Sequence, residues 1–170
     1  MNRVKVIKGD ITKLKVSAIV NAANNSLLGG GGIDGAIHKA AGPELLSECK
    51  TLNGCRTGKA KITSAYKLPS KYIIHTVGPI WHDGNNHESD QLKNCYINSL
   101  DIVLTKKDIT SIAFPAISCG IYGYPTEQAT QIAIDCVTTF LEEQPTLNLD
   151  VTFICFDDKI FKIYQKLLSI

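Results

Sequence analysis

With 170 residues, 44% of them hydrophobic, and a mean hydropathy of +0.03, the chain suits one domain with a proper core, and a second is not expected. Eighteen Lys and Arg against 16 Asp and Glu give a net charge of +2 with no long basic run, the densest cluster lying between Arg56 and Lys71, so no nucleic-acid partner is signalled. There is no leader pattern and no apolar run long enough to span a bilayer, so the expectation is a cytoplasmic protein, monomeric and without membrane contact.

In chain order, residues 3–7 alternate polar and apolar as an edge strand would, and Gly9, Asp10 and Ile11 turn it into a second short element. Residues 16–20 are apolar and β-branched, which fits a buried strand. Helices follow at 35–41 and 43–51, separated by Gly42 and the helix-starting Pro43. Segments 61–66 and 71–77 read as strands joined by a turn at Leu68, Pro69 and Ser70. The polar loop 81–90 leads to a helix over about 91–104, with one buried face formed by Leu92, Cys95, Tyr96, Ser99, Leu100 and Val103. A strand at 109–114, a helix at 126–143, a strand at 150–156 and a helix at 159–168 complete the chain. The alternation calls for a three-layer α/β/α sandwich over 1–170, with ligands bound on loops beyond the strand ends.

Between strand 16–20 and helix 35–41 stand four consecutive glycines, Gly29 to Gly32, which weaken any regular element. Such a run makes sense where the backbone approaches a ligand. With Gly31, Gly32 and Ile33 leading into a helix, the N–H groups converge on a volume that favours an anion, phosphate above all. Asp34 stands in N-cap position for the helix behind it. A second glycine loop, Ser118, Cys119, Gly120, Ile121 and Tyr122, also leaves a strand towards a helix, so the two loops can clamp one diphosphate. Asp10 at a strand end can accept a hydrogen bond from an exocyclic amine, although Asp after Gly more often serves as a turn residue or cap.

Other chemistries lack their marks. Residues 30–35 formally satisfy G-x-G-x-x-G, but the glycines stand about ten residues from the strand end, and no acidic residue closes a second strand at the proper interval. No Gly-Lys-Ser/Thr follows for a P-loop, and no G-x-S-x-G occurs. The six cysteines, Cys49, Cys55, Cys95, Cys119, Cys136 and Cys155, are scattered among apolar segments without CxxC or Cys/His spacing, so they read as free thiols. His38, His75, His82 and His87 form no metal constellation, and neither metal nor cofactor is expected.

GDIT at 9–12, IVNAAN at 19–24, GGGGIDGAIHKAAGPEL at 29–45, TGKAKIT at 57–63, IIHTVGPI at 73–80 and FPAISCGIYGYP at 114–125 resemble the macrodomain family, in particular its MacroD-type branch. The resemblance covers nearly the whole chain. It implies a mixed sheet of about six strands between helices, a cleft for ADP-ribose, and hydrolysis of ADP-ribose carried on acidic side chains or bearing an O-acetyl group. It puts Asp10 on the adenine amine with Ile11 beside it through its backbone, and stacks Phe156 on adenine, where residue type alone would make Phe156 a core aromatic. It makes 118–122 the diphosphate loop, with Tyr122 near the distal ribose. The family's usual Ser-Thr-Gly is Ser118-Cys119-Gly120 here, which leaves backbone N–H contacts intact.

The resemblance places the chemistry on Asn24 and Asp34. A neutral ester or acetal needs an attacking water, which a carboxylate can orient and partly deprotonate. Asp34 takes that role, its alternative being the helix cap, while Asn24 holds the ribose hydroxyls and Asn21 ties loop backbone. His38, four residues after Asp34 on one helical face, either supports it or packs. The partners implied are ADP-ribose, its O-acetyl ester and mono-ADP-ribosylated proteins. A second class shares the pocket, a reader that binds ADP-ribose without turnover; a third, a regulator of a ribonuclease, comes with the resemblance alone and draws no support from the modest net charge.

Overall fold

The computed structural model describes residues 3–170. Six strands make one sheet: β1 (Val4–Lys8), β2 (Ala18–Ala22), β3 (Ala60–Ser64), β4 (Tyr72–Thr76), β5 (Ser111–Phe114) and β6 (Asp150–Cys155), in the spatial order β1-β6-β5-β2-β4-β3. All neighbours are parallel except the β3/β4 hairpin, which is antiparallel because a short turn returns the chain directly.

Each inner strand alternates between two cores. Ala18, Val20, Ile74, Ile112, Phe114, Val151 and Phe153 point to one face, where α3 (Glu88–Val103), α4 (Thr126–Glu143) and α5 (Asp158–Leu168) cover them. Ile19, Ile73, Ala113 and Ile154 point to the other, under α1 (Gly32–Ala41) and α2 (Pro43–Thr51). The result is an α/β/α sandwich with a mixed sheet. On α3, Leu92, Cys95, Tyr96, Ser99, Leu100 and Val103 are all buried, as their spacing predicts.

Two helices begin three residues earlier than expected. α3 starts at Glu88, whose buried carboxylate accepts the backbone N–H groups of His82, Asp83, Gly84 and Asn86 and so turns the polar loop back on itself. Burial raises that carboxyl, but the N–H groups of His82, Asn86 and Gly84 outweigh it and hold the pKa down at about 2. α1 starts at Gly32, so Asp34 is inside its first turn.

One detail of the register places the site. β2 pairs with β4 over five residues but with β5 over only two, Ala18 with Ile112 and Ile19 with Ala113. Beyond those pairs β2 and β5 part. Their loops, one passing to a helix on each side of the sheet, leave a crevice at the carboxyl ends of the strands, the position where open α/β sheets bind ligands.

Candidate active site

The crevice is a cleft of about 440 Å³, within the usual range for a small-molecule site. Asn24, Gly31, Gly32, Ile33, Asp34, Ser118, Cys119, Gly120, Ile121, Tyr122 and Phe156 all line it. Ala22, Ala23, Gly30, Gly78, Ala116, Ile154, Asp157 and Ile160 complete the wall. These last are mostly small or structural residues that carry no chemical signal in a sequence.

The first wall is the glycine loop. Gly32 takes φ +57 and Gly29 φ +92, backbone that L side chains rarely adopt. A Cβ on Gly35 would run into the carbonyl of Gly30, so the loop lies directly on the first turn of α1. Among the described residues, the N–H groups of Gly31, Gly32 and Ile33 have no backbone partner, as the start of a helix requires. The second wall is the loop after β5. Cys119, Gly120 and Ile121 likewise have free N–H groups among the described residues, while Tyr124 N–H donates to Ser118 and Gly123 N–H to Gly120. Ser118 holds φ +65, a conformation that costs a non-glycine residue energy, and its buried hydroxyl has no partner among the described residues. Gly78 faces it because any Cβ there would strike that hydroxyl. The half-buried Cys119 directs its thiol at the Ile117 carbonyl, and burial pushes the thiol pKa up to about 11, so the side chain is a neutral group.

Asp34 is 5% exposed. Its Oδ1 accepts from Asn21 Nδ2 at 2.9 Å, whereas Oδ2 accepts nothing among the described residues and, like Asn24 Nδ2, faces Gly30. It is not the helix cap: Gly31 holds that position, with no side-chain cap bond. The offset explains the difference, since a glycine run sets no helix start by residue preference and the helix simply takes in Gly32 and Ile33.

Asn21 does not take the loop-tying role expected of it. Asn24, not Asn21, ties the loop, donating from Nδ2 to Gly29 O at 2.8 Å while its Oδ1 accepts from Ser26. Asn24 still lines the cleft. Asn21 is fully buried and holds Asp34 and His75 instead. A polar residue at an inward position of two adjacent buried strands, Asn21 in IVNAA and His75 in IIHTV, was the signal that could have found this pair. His38 does two things at once: Nε2 stands 3.5 Å from Asp34 Oδ1 without hydrogen-bond geometry, and the ring packs beneath Gly29.

At the far end of the cleft Phe156 is 82% exposed, which rules out the core-aromatic reading. Ile121 stands 98% exposed at the cleft mouth. Asp157, beside Phe156, caps α5 by accepting from Ile160 N–H. Asp10 and Ile11 are not part of the cleft wall. Asp10 acts as a cap, its Oδ1 accepting from the N–H and hydroxyl of Thr12, which hold its carboxyl below the usual carboxylate range. Ile11 is buried in the core under α1. Gly9 N–H donates to Cys155 O, so the segment leading to Asp10 meets the strand end that leads to Phe156, and the second Asp10 oxygen makes no bond among the described residues.

The chain is 47% identical to the Oceanobacillus iheyensis macrodomain solved with ADP, at a TM-score of 0.91 over 96% of this chain and 88% of that one. It is 49% identical to the O-acetyl-ADP-ribose deacetylase of Citrobacter rodentium, covering 99% of this chain and 96% of the relative. It is 54% identical to the ADP-ribose glycohydrolase MACROD2 of Xenopus laevis over 98% of its own length, though it spans only 40% of that longer protein. Residues 20–133 match the Macro domain, and with relatives this similar along its length the chain belongs to the macrodomain family.

Proposed function

We propose that the protein, a single macrodomain, is a hydrolase that binds ADP-ribose in this cleft and frees it from acidic side chains of mono-ADP-ribosylated proteins, removes the acetyl group of O-acetyl-ADP-ribose, or does both. The observation that carries the reading is the state of Asp34. One oxygen is held by Asn21, while the other faces Gly30 of the glycine loop without a partner among the described residues. A carboxylate placed so can orient a water and accept its proton as the water attacks the neutral ester or acetal at the distal ribose.

The remaining groups fit the ligand's length. Free N–H groups on the two loops suit a diphosphate, with the α1 dipole behind one of them. Phe156 offers an open ring face for adenine, and Asp10 an unused carboxylate oxygen nearby for its amine. Tyr122 and Asn24 flank the ribose end. Six unpaired thiols, four of them buried, support a reducing compartment such as the cytoplasm.

The test is incubation with a glutamate-modified mono-ADP-ribosylated protein and, separately, with O-acetyl-ADP-ribose, comparing the wild type with Asp34→Ala. Release of ADP-ribose or acetate by the wild type alone supports the proposal. Tight ADP-ribose binding with no release from either substrate makes the protein a reader.

A further inference from the structure

Asn21, His75 and Thr63 lie side by side across β2, β4 and β3, on the face of the sheet that carries α1. All three are buried, at 0%, 0% and 2% exposure. Asn21 and His75 are register partners in the parallel β2/β4 pair. A line of polar side chains in an otherwise apolar layer costs free energy unless each bond is made, so the direction of every bond can be worked out.

The direction is set from the outer strand inwards. Thr63 Oγ1 has one proton and gives it to Ser64 O at 3.0 Å. It must therefore accept at its second contact, 2.9 Å from His75 Nε2. Nε2 then carries the imidazole proton, and Nδ1 is a bare acceptor. Burial pushes the His75 pKa down to about 3, so a second ring proton is absent at neutral pH. Asn21 Nδ2 lies 3.1 Å from Nδ1 and 2.9 Å from Asp34 Oδ1 and donates one proton to each. The reverse amide orientation would aim a carbonyl oxygen at two acceptors, so Nδ2 faces both, and Asn21 Oδ1 is left buried without a partner among the described residues. Of the ring's other neighbours, Cys49 Sγ stands 4.0 Å from Nε2 and is only a weak second acceptor for its proton, against the Thr63 hydroxyl at 2.9 Å.

We propose that Thr63 and His75 are positioning residues for hydrolysis: acting through the Asn21 amide, they fix the orientation of the Asp34 carboxylate and so where its unbonded oxygen sits. Thr63 sits on an edge strand and touches no part of the cleft, yet it is linked through His75 and Asn21 to the carboxylate on α1. The proposal rests on Asp34 as the water-orienting group, and its own failure is separable from the failure of that reading.

The first test needs no variant. Nitrogen-detected NMR of the native protein reads the His75 tautomer, and a protonated Nε2 with a bare Nδ1 is expected, while a proton on Nδ1 overturns the proposal. The second is kinetic, using release of ADP-ribose from a glutamate-modified protein. Thr63→Val, which removes both the donor and the acceptor at nearly constant volume, should lower kcat by about 10-fold or more, since small misplacements of a catalytic group cost up to about 100-fold. KM and the Kd for ADP-ribose should stay within about 2-fold, because only the attacking geometry changes. Thr63→Ser should restore kcat. His75→Asn, which keeps an acceptor near the Nδ1 position, should retain more activity than His75→Gln, which does not. A folded Thr63→Val with wild-type kcat, while Asp34→Ala is inactive, sinks the positioning line and leaves the role of Asp34 standing; an active Asp34→Ala sinks the reading beneath it.

Discussion

Asp34→Asn is the sharpest probe of the cleft, because the neighbours of Asp34 dictate how the new side chain must sit. Asn21 Nδ2 presents a donor at 2.9 Å from Oδ1, so the carbonyl oxygen of the introduced amide must take that place and its NH2 must take the place of Oδ2. The substitution therefore turns the atom beside the glycine loop from an acceptor into a donor, at almost unchanged volume. A lost general base costs about 10²- to 10⁴-fold in rate, which is about 2.7 to 5.4 kcal/mol of barrier at 1.36 kcal/mol per decade. The fold should hardly notice, since the bond to Asn21 survives and the residue does not cap α1. Asp34→Ala is harsher: it orphans the buried Asn21 amide, a cost of about 1–3 kcal/mol, or a drop of about 2–4 °C in Tm per kcal/mol for a chain of this size. Single-turnover release of ADP-ribose, calorimetric binding of ADP-ribose and a melting curve should be read together. Loss of turnover in both variants, with binding kept within a few-fold and Tm lowered mainly in Asp34→Ala, is expected. Wild-type turnover by Asp34→Asn refutes the reasoning, and the base would then have to be the substrate's own phosphate.

Other expectations follow from single contacts. Gly32→Glu adds a Cβ that meets nothing within 4 Å, strains the backbone at φ +57, and puts a negative charge where phosphate approaches; calorimetry should find ADP-ribose binding abolished and melting should find the fold kept at a somewhat lower Tm. Gly35→Ala drives a methyl into the Gly30 carbonyl and must displace the glycine loop, so both Tm and ADP-ribose affinity should fall, with about 1–3 kcal/mol of overpacking; unchanged affinity would mean that the loop position does not matter. The Glu88 carboxyl has its folded pKa near 2, below its ordinary 4.5, so the unfolded chain binds more protons between these values. Its contribution is full above pH 4.5 and is lost as the pH falls through that window. Tm against pH should accordingly lose part of its acid slope in Glu88→Gln, along with some stability at neutral pH.

The layers and the cleft walls were legible because their signals are local. Apolar residues spaced as on α3 can be buried on only one face, and a run of glycines has no use in a packed element, so both read directly from the chain. What escaped depended on where the backbone begins to coil and on which strand lies beside which. Asp34 reads as a cap until the helix is seen to start at Gly32. Asn21 and Asn24 differ by three residues, and only the parity of β2 decides that the first points into the layer beneath α1 while the second reaches the loop. Thr63 and His75 belong to the site only through the β3/β4 and β2/β4 pairings, which no short motif encodes. Glu88 looks like one more polar loop residue, because backbone N–H groups that converge on a carboxylate leave no trace in side-chain type.

The open ring of Phe156 and the bare side chain of Ile121 give ligand capture a calorimetric signature. Both present apolar surface to water at the cleft, so covering them releases hydration water and lowers the heat capacity, by about 45 cal/mol/K for each 100 Å² of apolar surface covered. The binding enthalpy of ADP-ribose should then grow more favourable as the temperature rises. Phe156→Ala, leaving less to cover, should flatten that dependence as well as weaken affinity. A slope unchanged by the substitution would mean that the ring stays in water when the nucleotide is bound.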